Sequence, residues 1–231
     1  YYGNPSASSM SNGADTFMFF DDFLGTTLDT TKWNTTNLSS YTVSGGLIDM
    51  TSSGFPNWSF SGCYSLADLP IPSVVETSMK VISGGRGGLR HPDSTPADAN
   101  STVISAVLSS SIIEFGVNNQ VMKTANYSVP LEVFHRFRTD VRNSVVSMYV
   151  YKDGTLLNSD VDRAYTPVAN TKLGLNPGWS SGDRSAFDWI FVRKFASPEP
   201  TTMVESEENF QTMIVDDNYQ IASELPEGIW Y

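Results

Sequence analysis

Apolar residues recur at every second position between residues 17 and 197, and this period restricts the possible folds more than any other feature. The alternation is clearest in segments 74–81 and 145–151. Because successive side chains of a β-strand point to opposite faces, it predicts strands with one buried face. In 145–151 both faces are apolar or aromatic, which predicts a central strand covered on both sides. No long segment has a helical period, so the chain is expected to be all-β.

Residue pairs that favour tight turns separate these segments. Asp153-Gly154 predicts a type I′ hairpin, because both residues tolerate positive φ. Many short strands with regular turns are typical of a sandwich or a barrel. Residues 84–93, with four glycines and two arginines, are interpreted as one long basic loop, either a connector, which we favour, or a loop that approaches a ligand. Three other pairs predict turns: Asn118-Asn119, Gly45-Gly46 and Arg142-Asn143.

Three segments together resemble a known superfamily: 20–34, 147–154 and 187–195. On their order and spacing, residues 17–198 resemble the concanavalin A-like lectin/glucanase superfamily, of the laminin G-like kind. The resemblance implies an all-β, two-sheet antiparallel jelly-roll sandwich whose first and last strands pair, with extended N- and C-terminal arms. It divides the chain into an arm at 1–16, a sandwich at 17–198 and an acidic tail at 199–231.

A second, narrower resemblance involves the two ends of this module. Residues 1–5 and 192–201 are similar to segments of large prokaryotic surface proteins, in which a domain of unknown function runs directly into a jelly roll. This implies a piece of a modular protein that is secreted or held at the cell surface. The chain does not begin with Met, so a leader or a larger N-terminal part is expected to have been removed. No signal peptide or membrane-spanning run is present in the sequence.

The net charge of −11 belongs mainly to the tail. Residues 199–231 carry eight acidic residues and no lysine or arginine, which leaves seventeen acidic against fourteen basic residues elsewhere. Such a surface is a poor partner for nucleic acid. Cys63 is the only cysteine, so no internal disulfide can form, and a buried inert thiol is favoured over an interchain bridge.

The sequence lacks the acidic pattern that the resemblance implies for an enzyme. Glucanases of the superfamily place a Glu-x-Asp-x-x-Glu or Glu-x-Asp-x-Glu run on one strand, where the carboxylates share a face. No such run occurs in 17–198, and Glu76 and Glu114 are single acids in otherwise neutral strands. We therefore expect a protein that is not an enzyme.

A calcium site is the cofactor that the resemblance implies, at the place where the first and last strands meet. Asp21, Asp22 and Asp188 stand at the matching positions, with the carbonyls of Gly25 or Gly46 as further oxygen ligands. The alternative is that Asp188 orients neighbouring backbone without metal.

Glycan binding requires a flat aromatic ring and polar groups for sugar hydroxyls. The candidates lie in turn-rich segments, although both tryptophans could instead fill or cover the core: Trp58, Arg90, His91, Asn176 and Trp179. Five sequons predict glycosylation, at Asn34, Asn37, Asn57, Asn100 and Asn126.

The acidic tail separates two hypotheses about function. Residues 210–215 have strand character and are predicted to pair with a sheet edge, either of the same sandwich or of a neighbouring copy. The first hypothesis is a non-enzymatic structural or adhesive subunit whose partners are copies of itself or other surface proteins. The second is a lectin-like carbohydrate-binding module. The residues expected to hold an assembly are Tyr1, Tyr2, Phe210, Met213, Ile214, Val215 and Trp230.

Overall fold

The computed structural model describes residues 13–54, 60–92 and 102–197. Within these ranges the chain forms fifteen β-strands and one helical turn, α1, at Gly13–Thr16. All of these elements belong to a compact unit that ends at Phe195. The tail, with its predicted strand and assembly residues, lies outside the described residues, as do Tyr1 and Tyr2.

The strands form two antiparallel sheets that enclose one core, which confirms the predicted all-β sandwich. The first sheet has eight strands, in the spatial order β13 (Thr155–Ala164), β12 (Val145–Lys152), β11 (Phe134–Val141), β6 (Ser73–Ser83), β15 (Arg184–Lys194), β4 (Leu47–Ser52) and β3 (Leu38–Ser44), with β1 (Phe19–Asp21) also paired to β15. The second has seven, in the order β10 (Gln120–Asn126), β9 (Ile112–Val117), β8 (Thr102–Ser109), β7 (Arg86–Pro92), β14 (Lys172–Asn176), β5 (Gly62–Asp68) and β2 (Trp33–Thr36).

The first and last strands pair, as predicted. Phe19 lies opposite Val192 and Asp21 opposite Ile190, while β4 pairs with the earlier part of β15. The predicted hairpins are also present. Asp153 and Gly154 have φ values of 49° and 75°, as a type I′ turn requires. Positive φ also occurs at both residues of the turns 118–119 and 45–46.

The interpretation of residues 84–93 as one long loop is wrong. Gly84 and Gly85 form a tight turn, and the chain continues as strand β7. Gly87 and Gly88 hid this strand, because glycine weakens strand propensity. The glycines are required by packing: an added Cβ would lie 2.5 Å from Met79 Cε at position 87 and 2.4 Å from the Ala106 carbonyl oxygen at position 88.

The core lies between the sheets, and Cys63 is part of it. The Cys63 thiol is buried and free, and burial raises its pKa, in agreement with an inert thiol. Both sheets contribute large buried side chains, including Phe137, Phe187 and Met79 from the first and Phe115, Leu89 and Ile104 from the second. The described part of the chain contains no helix with the length and hydropathy of a membrane span.

Strand β12 corrects a detail of the sequence prediction. Its residues Val146, Met148 and Val150 are buried in the core, as expected. The opposite face is not covered as the core face is, because Tyr149 and Tyr151 there are only half-buried. Arginine guanidinium groups lie over both rings, 5.5 Å and 4.3 Å from their centroids. The strand is also second from the sheet edge rather than central.

Candidate functional site

Two rows of residues cross the outer face of the seven-stranded sheet. The pairing registers place Gly174, Arg90, Ser105 and Gly116 in one row, and Asn176, Gly88, Val107 and Glu114 in the next. The residues between these rows, Leu175, Leu89, Ala106 and Phe115, are all buried in the core. Because side chains alternate along each strand, both rows lie on the side of the sheet away from the core.

A loop after β14 holds Trp179 at the edge of this face. The Asp183 carboxylate, only 3% exposed, accepts hydrogen bonds from the backbone N–H groups of Trp179 (3.0 Å) and Ser180 (2.8 Å). Gly178 packs so closely that an added Cβ would lie 2.4 Å from the Asp183 Cβ. The loop is thus wound around one buried carboxylate, which fixes the position of the indole.

Trp179 lies against two arginines of β7. The guanidinium carbons of Arg86 and Arg90 are 4.9 Å and 6.0 Å from its ring centroid, within the range of cation–π attraction. Arg86 also forms an ion pair with Asp183 at 3.6 Å and a hydrogen bond with the Ser180 hydroxyl. The same carboxylate therefore positions both the indole and one of the cations next to it.

We call Trp179, Arg86, Glu114, Arg90, Ser105 and Asn176 the polar cluster. Its rim consists of Trp179, Arg86 and Glu114, which are half-buried. Its floor consists of Arg90, Ser105 and Asn176, each at most 3% exposed. A ligand that approaches the face would meet the rim first and the floor beneath it.

The floor is mostly held by hydrogen bonds. Asn176 donates through Nδ2 to the Ser61 carbonyl (2.7 Å) and accepts from the Gly178 N–H (3.1 Å). Among the described residues, the Ser105 hydroxyl has no hydrogen-bond partner. A buried polar group without a partner is costly, so this atom is a candidate contact for a ligand.

Charges on the cluster shift each other's pKa values. Burial lowers the pKa of Arg90 to about 10, against the opposing effect of Glu114. Burial raises the pKa of Glu114, while the positive charges of Arg90 and Arg86 act in the opposite direction. The acid and the two cations thus interact electrostatically on one face of the sheet.

The structure brings together three of the five predicted glycan-binding residues: Arg90, Asn176 and Trp179. His91 is a correction. Its side chain is fully buried between the sheets, with Nε2 3.1 Å from the Thr139 hydroxyl, and burial lowers its pKa to about 4. It follows Arg90 in the same strand and therefore points to the opposite face, away from any ligand on the polar cluster. Trp58 lies outside the described residues.

Sequence reasoning did not identify three residues of the polar cluster and its supporting loop: Arg86, Ser105 and Asp183. It also did not assign Glu114 to a binding site. The loop interpretation of 84–93 concealed the spacing of Arg86, Gly88 and Arg90, which places all three on one face of a strand. In the sequence, Glu114 stands out only as a single acid in a neutral strand, as Glu76 does. The structure separates these two acids, because Glu76 lies in the other sheet, 3.5 Å and 3.9 Å from Arg136 and Arg193.

The three predicted metal ligands have different surroundings. Asp21 accepts hydrogen bonds from Trp33 Nε1 (2.7 Å) and the Phe23 N–H (2.9 Å), so its carboxylate ties β1 to a buried tryptophan. Asp188 is half-buried, and burial, followed by the nearby charge of Asp22, raises its pKa. Gly46 is close to Asp22, since its added Cβ would lie 3.8 Å from the Asp22 carbonyl oxygen.

Calcium stays a prediction on this geometry. In the described ranges no three His, Cys, Asp or Glu side chains are grouped as metal ligands. Asp22 and Asp188 offer the hard oxygen atoms that Ca²⁺ prefers, and backbone carbonyls such as that of Gly46 would have to supply the remainder. Without a cation, the carboxylates of Asp22 and Asp188 repel each other. This repulsion is the feature of the junction that favours a bound cation.

Removal of calcium is expected to lower the melting temperature. Binding at a free Ca²⁺ concentration a hundred times Kd contributes about 2.7 kcal/mol, or roughly 5–10 °C for a domain of this size. Because the pKa of Asp188 is raised in the folded protein, ionisation of this carboxyl destabilises the fold as the pH rises above its pKa in the unfolded chain. Asp188→Asn should therefore raise the melting temperature of the metal-free protein at pH 7 and abolish the response to Ca²⁺. Scanning calorimetry with and without chelator tests this, and an identical melting temperature in both would contradict the site.

The predicted glycosylation sites differ in exposure. Asn34 and Asn126 are exposed, whereas the Asn37 amide donates to the Phe60 carbonyl at 2.8 Å and is partly buried. Asn57 and Asn100 lie outside the described residues. Glycosylation therefore stays a prediction, and Asn34 and Asn126 have the more accessible side chains.

Comparison with known proteins places the fold. Residues 1–36 match a family described as a domain of unknown function (DUF2341), a segment that includes the residues 1–5 noted above for such a domain. No curated protein matches the chain. Similar solved structures include a glycosyl hydrolase family 16 protein from Mycobacterium smegmatis, with a TM-score of 0.50 and 12% identity over 76% of this chain and 99% of that one. An immunostimulatory antigen and pseudo β-1,3-glucanase of Mycobacterium tuberculosis has a TM-score of 0.51 and 14% identity over 78% and 99%.

A third structure, a xylan β-1,4-xylosidase from Bacillus halodurans, has a TM-score of 0.54 and 12% identity over 76% of this chain, but only 39% of that one. At these identities the likeness concerns the fold. The chain has the concanavalin A-like jelly-roll fold, as the resemblance implied.

The expectation that the protein is not an enzyme is contradicted. Proteins of the same fold carry the names glycosyl hydrolase and β-1,3-glucanase. The fold is thus one in which hydrolases occur, and the absence of one acidic sequence run does not exclude the class. The acids need not follow that run in sequence, because sheet pairing brings together residues that are distant in the chain.

Proposed function

We propose that the protein binds carbohydrate at the polar cluster on the outer face of its seven-stranded sheet. The observation that carries this proposal is the placement of Trp179. A buried carboxylate, Asp183, holds the half-buried indole beside Arg86 and on the same face as Glu114. A fixed aromatic ring next to a donor and an acceptor is the arrangement that suits a sugar.

Each group has a distinct part in this proposal. The indole offers an apolar surface to the C–H face of a pyranose. Arg86 supplies N–H donors and Glu114 supplies acceptor oxygens for hydroxyl groups. Because the loop around Asp183 holds the ring in place before a ligand arrives, little ordering is needed on binding.

The fold also supports carbohydrate binding. Two proteins of this fold are named for action on xylan or β-1,3-glucan, and another is named a pseudo β-1,3-glucanase. Those names apply to those proteins, but they indicate that glucans and xylan are the first ligands to test. An extracellular location and an adhesive or structural role held by the terminal arms remain proposals, and residues 1–12 and 198–231 of those arms lie outside the described residues.

Affinity electrophoresis in gels that contain single polysaccharides tests the proposal. We expect the intact chain to be retarded by at least one of them, and Trp179→Ala to lose the retardation. Tyr151→Ala serves as the matched control, since it removes a half-buried aromatic ring from the outer face of the other sheet. Release of reducing ends is measured in parallel, so that cleavage is distinguished from simple binding. Equal retardation of Trp179→Ala and the wild type would refute the assignment of the site.

A further inference from the structure

We propose that the polar cluster selects neutral sugars and rejects sugars that carry a carboxylate or a sulfate at the same position. The inference rests on the proposed function and adds a class of ligand to it. Its basis is the placement of an arginine and a glutamate on one rim, together with the balance of charge around them.

The rim offers both a donor and an acceptor. Arg86 carries several N–H donors, and its Nε is buried without a hydrogen-bond partner within the described residues. Glu114, when ionised, can only accept hydrogen bonds, and its side chain is half-buried. In the proposed pose, a ligand hydroxyl group accepts from an Arg86 N–H and donates to the Glu114 carboxylate. A carboxylate or sulfate has acceptors alone, so it satisfies Arg86 and leaves its negative charge facing Glu114.

The cluster has no excess positive charge that could attract an anion. Arg86 is already paired with the Asp183 carboxylate at 3.6 Å. Arg90 and Glu114 act on each other, because each shifts the pKa of the other toward its charged form. Two cations are therefore matched by two acids, and Glu114 is the more exposed of the acids. An anionic ligand would lose hydration without meeting an unpaired cation.

The floor of the polar cluster also contains an unsatisfied polar group, the Ser105 hydroxyl. Ser105 is 1% exposed and lies directly across from Arg90 in the strand pairing, and its hydroxyl lacks a hydrogen-bond partner in the described part of the chain. A hydroxyl group or a water molecule would complete it as donor or acceptor. These two buried groups without partners among the described residues, Arg86 Nε and the Ser105 hydroxyl, are complementary to hydroxyl groups of a polyol.

A matched pair of ligands tests the inference. A neutral polysaccharide that binds the intact chain is compared with the same polymer after oxidation of its primary hydroxyls to carboxylates. We expect the oxidised form to bind at least about tenfold more weakly to the wild type, at pH 7 and low salt. Glu114→Gln should weaken binding of the neutral form and strengthen binding of the oxidised form, so that the ratio of the two affinities falls about tenfold.

The control and the adverse outcomes are distinct. Glu132→Gln removes an exposed acid, paired with Lys80 on the other sheet, and should leave the ratio unchanged. Equal affinity of wild type for both polymers, or an unchanged ratio in Glu114→Gln, overturns the selectivity while the binding function stands. Binding of neither polymer, or binding that survives Trp179→Ala, overturns the proposed function itself and the selectivity with it.

Discussion

Replacement of Trp179 by alanine is expected to weaken glycan binding at least about 30-fold, which corresponds to the loss of about 2 kcal/mol that defines a hot-spot residue. The indole is the largest apolar surface on the rim, and two guanidinium groups and the Asp183 loop hold it in place. The ring is half-buried and lies outside the core, so the melting temperature should change little.

Isothermal titration with an oligosaccharide of the bound polymer measures this effect. Tyr151→Ala should retain the wild-type affinity, because it alters the other sheet. A loss of less than threefold in folded Trp179→Ala protein would show that the indole does not contact the ligand.

Replacement of Asp183 by alanine is expected to destabilise the fold by roughly 3–5 kcal/mol. The change leaves two backbone N–H groups without their acceptor and removes the ion-pair partner of Arg86. For a domain of this size the loss corresponds to a decrease in melting temperature of about 6–20 °C. Glycan affinity should fall as well, because Trp179 is no longer held against the face.

Urea unfolding of the variant measures the stability loss. Asp68→Ala is the matched control, since Asp68 is half exposed and forms a surface ion pair with Lys172. Such pairs contribute little to stability. If the two variants unfold at the same urea concentration, the Asp183 carboxylate does not organise the loop.

Much of the fold could be predicted because its signals are local. Alternation of apolar residues marks a strand within a few positions, and pairs such as Asp153-Gly154 mark a turn by their tolerance of positive φ. Strand β7 was not predicted, because it has no such local signal in the sequence. Its glycines are required by contacts with Met79 and Ala106, which come from other strands and leave no local signal.

The site was less predictable because it depends on register between strands. Arg90 lies next to Ser105 and two strands from Glu114 only through the pairing of β7, β8 and β9. Residues that are adjacent in sequence also place their side chains in different surroundings. His91 faces the core while Arg90 faces outward, and Asp21 bonds to Trp33 while Asp22 lies near Asp188. Composition suggested the right residue types, but only the register shows which of them meet.

The indole N–H resonance of Trp179 in a ¹⁵N-labelled protein tests the central claim most directly. The peak is identified by its loss in Trp179→Phe. Titration with the bound oligosaccharide should shift it in a saturable manner, while the peak of Trp33, which is 1% exposed and bonded to Asp21, stays in place. A Trp179 peak that does not move while the glycan binds would place the binding site elsewhere and contradict the account.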